Sequence, residues 1–172
     1  MELVALYEER NLAGRVIGAA TRQEVRARNL PHAATAAMLR DGAGRVYVHR
    51  RTDTKDIYPG MHDAWAGGVV AAGEEPDAAA ARELAEELGV HDCTLAPLLR
   101  FWYEDGATRY LAYLYEAVYD AVRNGPIVHQ PTEVADGWWM EWDELLAHLA
   151  DPTWPFVPDG RLAIARYLQP QD

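Results

Sequence analysis

Along most of this chain, apolar and polar residues alternate in short runs; three- and four-residue periodicity is confined to a few stretches. ELVALYEERNLAGRVIGAA reads as two short strands around a turn at Asn11 to Gly14. TRQEVRARN then places Thr21 and Glu24 at capping-box spacing, which predicts a short helix ended by Pro31. HAATAAML and RVYVHRR flank the turn-rich RDGAGR and predict a hairpin. The GxG in that turn lacks the third glycine and the following helix of a dinucleotide-binding loop. A loop, TDTKDIYPGMHD, leads to the strand AWAGGVV and then to a helix with Ala81, Leu84 and Leu88 on its apolar face. TLAPLLRFWYE and TRYLAYLYEAVY predict a long antiparallel pair turned at Asp105 and Gly106, and GWWMEW a further strand. DELLAHLA and GRLAIARYL are amphipathic helices separated by the proline-rich DPTWPFVPDG. Strands on both sides of one central helix, with helices at the end, predict an α+β sandwich rather than a regular βαβ array.

Composition narrows the function classes. The 172 residues fit one domain with a substantial core. A net charge of −11 argues against a nucleic-acid polymer as partner, since wrapping its backbone requires a basic surface. It is compatible with a small phosphorylated substrate, because a metal ion reverses the local charge. No apolar run is long enough to cross a bilayer, so no membrane association is expected. MELVALYEER carries too much charge for a signal peptide, and the single cysteine, Cys93, fits a reducing compartment. The cytoplasm is the expected location. Nothing in the sequence fixes the oligomeric state.

The central helix holds the chemistry. Pro76 suits its first turn and Gly89 a left-handed C-cap. Glu83, Glu86 and Glu87 crowd one arc, and like charges at i and i+4 destabilise a helix by a few tenths of a kcal/mol. A solvated acidic face is the plain reading; a bound cation is the alternative. Arg82 lies four residues before Glu86, within pairing distance. Gly68, Glu74, Arg82, Glu83, Leu84, Glu86, Glu87, Gly89 and Val90 match the pattern G-x5-E-x7-R-E-U-x-E-E-x-G-U, where U is aliphatic. Seven specified residues coincide by chance on the order of once in 10⁸ starting points. Over residues 68–90 the chain therefore resembles the Nudix box.

That resemblance implies an α+β Nudix fold: an α/β/α sandwich with a mixed central sheet, here carrying an N-terminal strand-turn-strand-helix extension over residues 1–30 of one domain spanning 1–172. It implies a hydrolase acting on the diphosphate linkage of nucleoside di- or triphosphates or related nucleotides. The implied cofactor is Mg²⁺, with Mn²⁺ as a substitute, and the implied partner is a small phosphorylated substrate. By carry-over, Glu83, Glu86 and Glu87 are metal ligands, one of them holding the attacking water, and the carbonyl of Gly67 is a backbone ligand. Arg82 and Glu74 orient those ligands. Glu133 lies where many Nudix enzymes carry a further carboxylate, and is read either as metal ligand or general base or as an ordinary loop acid.

The segment HRRTDTKDIYPGMHDAWAGG is similar to isopentenyl diphosphate isomerases and to the isomerase-like bacterial Nudix hydrolases. In the isomerases the matching basic residues grip the diphosphate, which implies that role for Arg51 and Lys55. A solvated basic turn is the competing reading. The isomerases' Cys-Gly-His segment reads Gly67, Gly68 and Val69 here, so isomerase activity is not expected. His32 matches an isomerase metal ligand that has lost its partner, and is read as a strand histidine. Tyr103 falls near the second acid/base residue of the isomerases, and Cys93 is misplaced to substitute for the missing cysteine. Trp65, Trp102 and Tyr103 are read as core before base-stacking residues. Hydrolase, isomerase and non-catalytic nucleotide-sensing module are thus the three functions in play, with the intact box favouring the first.

Overall fold

The computed structural model describes residues 2–170. Two strands, β1 (Leu3–Tyr7) and β2 (Val16–Thr21), pair antiparallel and lead into α1 (Arg22–Arg28). Thr21 and Glu24 form the expected capping box, and the helix ends at Asn29 in the left-handed region, two residues before Pro31. Asparagine tolerates that conformation, so the stop comes from the cap and not from the proline.

Next come β3 (His32–Arg40), β4 (Val46–Arg51), the two-residue β5 (His62–Asp63) and β6 (Ala66–Val69). The helix of the crowded glutamates is α2 (Pro76–Leu88), followed by β7 (Leu95–Glu104), β8 (Arg109–Val118), the single turn α3 (Ala121–Asn124), β9 (Val134–Met140), α4 (Trp142–Leu149) and α5 (Pro158–Tyr167). The short β5 and α3 have no periodicity to announce them.

The sheet is mixed: β3 runs parallel to β8 along its whole length, while the remaining pairings are antiparallel. The hairpin expected from β3 and β4 exists only at its tip, where Arg40 pairs with Val46. Beyond the tip the strands diverge, because β3 is taken by β8 on one edge and by β6 on the other, and β4 by β9 and β5. That divergence opens the sheet and leaves room for a cavity.

Alternation along β3 and β4 feeds two cores, as period-2 geometry requires. Met38, Val46 and Val48 face Leu145, Phe156 and Ile164 of the α4–α5 side. Ala37, Leu39 and Tyr47 face Ala80, Leu84 and Leu88 of α2. The layers are therefore helix, sheet and helix, as the sequence leads one to expect. Gly89 ends α2 at φ 67° with Val128 packed 3.1–3.2 Å from where a Cβ would stand, so both conformation and space call for glycine.

Candidate active site

Strand β6 and helix α2 meet at two consecutive glycines. A Cβ on Gly67 would stand 1.8 Å from the Thr35 carbonyl oxygen, so the close passage of β6 over β3 demands glycine. A Cβ on Gly68 would stand 2.4 Å from Glu83 Oε1, so the second glycine makes room for a carboxylate. Glu83, Glu86 and Glu87 all line one cavity of about 330 Å³ together with both glycines. Such a volume suits a nucleotide-sized ligand.

The three glutamates are not equivalent. Glu87 is 6% exposed and sits among Ala80, Leu84 and Leu88, on the apolar stripe itself. Burial, then Glu83, pushes its carboxyl up to about 7, with Lys55, Arg51 and the Gly67 backbone acting the other way. Burial also raises Glu83, opposed by Arg82. Glu86 is at the solvent edge. The arc thus runs from core to water, which the sequence shows only as Glu87 standing in register with Ala80 and Leu84.

Arg82 ties this end together. Its Nε and Nη2 donate to the two oxygens of Glu74 at 2.9 and 3.1 Å, and Nη1 donates to Glu83 at 2.7 Å and Glu86 at 3.4 Å. Nη2 also reaches the Val69 carbonyl at 3.3 Å, and Glu74 accepts from the Ala71 amide at 3.0 Å. This planar fork is beyond a lysine ammonium. Arg82→Lys is expected to lower stability by about 1–2 kcal/mol, read as a lower melting temperature in EDTA, because Glu74 and Glu83 lose charge-assisted bonds.

The end of β4 and the loop after it contribute cations. Lys55 pairs with Glu133, which the fold brings to it across 78 residues of sequence, and both line the cavity. Arg51 also lines it but spends Nε and Nη2 on the carbonyls of Ile57 and Tyr58, at 2.8–3.2 Å. Arg51 therefore braces the loop as well as charging the wall.

Among the described residues, no three His, Cys, Asp or Glu side chains already converge as a closed ligand set. Arg82 holds Glu83 and Glu86 to one side. The donor chemistry nonetheless fits a hard divalent cation, being carboxylate and backbone oxygen throughout.

The other candidates fall where core packing puts them or outside the cavity. His32 borders the cavity but is buried, donates through Nδ1–H to the Leu30 carbonyl at 2.9 Å, and is pushed down to about 4 by burial, as befits a neutral strand histidine. Trp65 is a core residue that also borders the cavity. Trp102 bonds Glu104, and Tyr103 joins Tyr58 on Asp105; neither borders the cavity. Cys93 bonds the Val118 carbonyl away from it. Sequence reasoning overlooked Asp63, Asp159, Arg22 and Tyr110, which all line the cavity. Alternation along β8 was the available signal for Tyr110, since Tyr110, Ala112 and Leu114 share one face.

Comparison with known proteins agrees with this fold. The NUDIX domain model matches residues 30–160. "Uncharacterized Nudix hydrolase orf19" of Rhodococcus erythropolis is 44% identical, with 96% of this chain and 91% of that protein covered. "Uncharacterized Nudix hydrolase YfcD" of Escherichia coli K12 is 38% identical, covering 98% and 87%. Among solved structures, DR0079 from Deinococcus radiodurans matches with a TM-score of 0.78 at 25% identity, covering 98% of this chain and 100% of that one. The NUDIX domain of NrtR from Shewanella oneidensis, solved with ADP ribose, shares the fold at a TM-score of 0.61 and 18% identity, over 86% and 96%. A box intact at every specified position, set on this sheet and matched over most of the chain, places the protein in the Nudix hydrolase family.

Proposed function

We propose that this Nudix hydrolase cleaves the diphosphate linkage of nucleoside di- or triphosphates or related nucleotide derivatives, with Mg²⁺ or Mn²⁺ as cofactor. One observation carries the reading: Glu83, Glu86 and Glu87 line a single cavity that Lys55 and Arg51 line as well, both close enough to act on Glu87. Carboxylates and cations together in one cavity suit a metal-bound polyphosphate. The isomerase-like segment supports a grip by Arg51 and Lys55 on the diphosphate, but the absent Cys-Gly-His leaves no proton-transfer cysteine for isomerisation.

In this reading Glu83, Glu86, Glu87 and the Gly67 carbonyl would hold the cation. When bound, such an ion neutralises phosphate charge and acidifies the attacking water. Arg82 and Glu74 keep Glu83 and Glu86 in place. Lys55 meets phosphate oxygens, and Glu133 orients Lys55 and serves as the proton acceptor beside it. Positioning and charge neutralisation of this kind supply most of the catalysis in phosphoryl chemistry.

The test is a screen of nucleoside di- and triphosphates, nucleotide sugars, dinucleoside polyphosphates and coenzyme A with Mg²⁺, products being identified by mass. Cleavage within a diphosphate, abolished by excess EDTA, is the expected result. Full turnover in EDTA would remove the metal from the account.

A further inference from the structure

Beyond the α2 carboxylates the cavity has a second end against α5, with apolar and aromatic walls from Trp65, Phe101, Tyr110 and Leu114. Two carboxylates, Asp63 and Asp159, line this end. Asp63 is 8% exposed; its Oδ1 accepts from the Trp65 amide at 2.9 Å, and its Oδ2 has no hydrogen-bond partner among the described residues. Asp63 lines the cavity, where that oxygen is left to a ligand. Asp159, in the first turn of α5, accepts from the Tyr110 hydroxyl at 2.6 Å and from the Gly160 amide at 2.9 Å. A Cβ on Gly160 would stand 3.1 Å from Asp63 Oδ1 and 2.7 Å from Val157 Cγ2, so glycine keeps this corner clear. No Lys or Arg pairs with either aspartate among the described residues; Arg51 acts on both through space, and on Glu87 as well. Burial and mutual repulsion raise Asp63 above the ordinary carboxylate range.

A buried carboxyl oxygen without a partner is costly, and whatever fills this end must satisfy Asp63 Oδ2. A hydrocarbon tail would strip both aspartates of water and give nothing back. An anionic group would be repelled. A flat ring with an amino group at its edge donates to the carboxyls while its faces pack on the aromatic walls.

We propose that Asp63 and Asp159 select the non-phosphate end of the substrate, accepting a nucleobase that bears an exocyclic amino group. The inference rests on the polyphosphate reading of the α2 end but involves different residues. It orients the substrate, with the phosphates at Lys55 and the α2 glutamates and the base under α5.

Equilibrium binding of uncleavable α,β-methylene diphosphates, in Mg²⁺, tests it without requiring turnover. Two pairs differ at the amino position: cytidine against uridine, and adenosine against inosine. In at least one pair the amino-bearing ligand should bind about tenfold tighter or more, the effect expected when a buried acceptor is otherwise left unpaired. Asp63→Asn keeps Oδ1 for the Trp65 amide but replaces the free acceptor with a donor. It should erase or reverse that preference, weakening the amino-bearing ligand by more than it weakens the carbonyl-bearing partner. Asp159→Asn provides a second variant should the first fail to fold. Equal binding within both pairs, equal loss of both ligands in the variants, or binding of none would overturn the inference. Failure of the hydrolase reading would appear separately, as no cleavage of any natural diphosphate.

Discussion

Glu83→Gln and Glu87→Gln should each cut turnover by at least about 10²-fold, the usual loss when a charge that stabilises the transition state is removed. Glutamine keeps length and helix compatibility, so little else changes. Stability should move the other way. Glu87 is buried beside Glu83, and its folded-state carboxyl is raised to about 7 from an ordinary 4.5. A group raised on folding adds stability below its unfolded value and loses it as pH rises through the folded one. In EDTA, wild-type protein should therefore weaken between about pH 4.5 and 7 through this residue. Glu87→Gln should lack that component and melt no lower than wild type at pH 8. A purely structural acidic face predicts the reverse, with activity intact and melting within surface-mutation noise. Parallel turnover and melting measurements separate the two.

The adjacent glycines should respond in opposite ways. Gly67→Ala drives a Cβ to 1.8 Å from the Thr35 carbonyl oxygen and 2.7 Å from Ala36 Cα. Both are backbone atoms of β3, in the middle of the sheet, and neither can yield without breaking the Ala36–Gly67 pairing. A loss of about 3 kcal/mol or more is expected, at the upper end for overpacking. For a chain of this size that is roughly a 6–12 °C drop in melting temperature. Gly68→Ala instead meets the Glu83 carboxylate at 2.4–2.9 Å, the movable end of a side chain. Its cost should be under about 1 kcal/mol in stability but should displace Glu83 and cost activity. Similar melting temperatures for the two variants would contradict the packing described for β6.

The sequence was most legible where one element carries its own signal. α2 shows periodicity, a first-turn proline and a C-cap glycine, and its box spacing is uninterrupted. The long β7–β8 pair is likewise readable from its runs and its turn. What escaped depends on contacts between distant segments. The splaying of β3 from β4 follows from competition by β6, β8 and β9, which no local pattern records. Lys55 meets Glu133 only because the loop after β4 and the approach to β9 lie side by side. Asp63 sits in a two-residue strand and Asp159 follows a proline-rich loop, so neither stands in a periodic pattern that marks a side chain as buried. Arg51 was legible as a cation but not as the brace for Ile57 and Tyr58.

The central claim is that the α2 carboxylates hold a divalent cation, and a Mn²⁺ titration followed by electron paramagnetic resonance tests it without any substrate. Wild-type protein should bind Mn²⁺ saturably, and Glu83→Gln and Glu87→Gln should weaken that binding by at least about tenfold, as loss of a direct ligand exceeds the usual cost of losing a supporting residue. Mn²⁺ binding of unchanged strength in both variants would contradict the account.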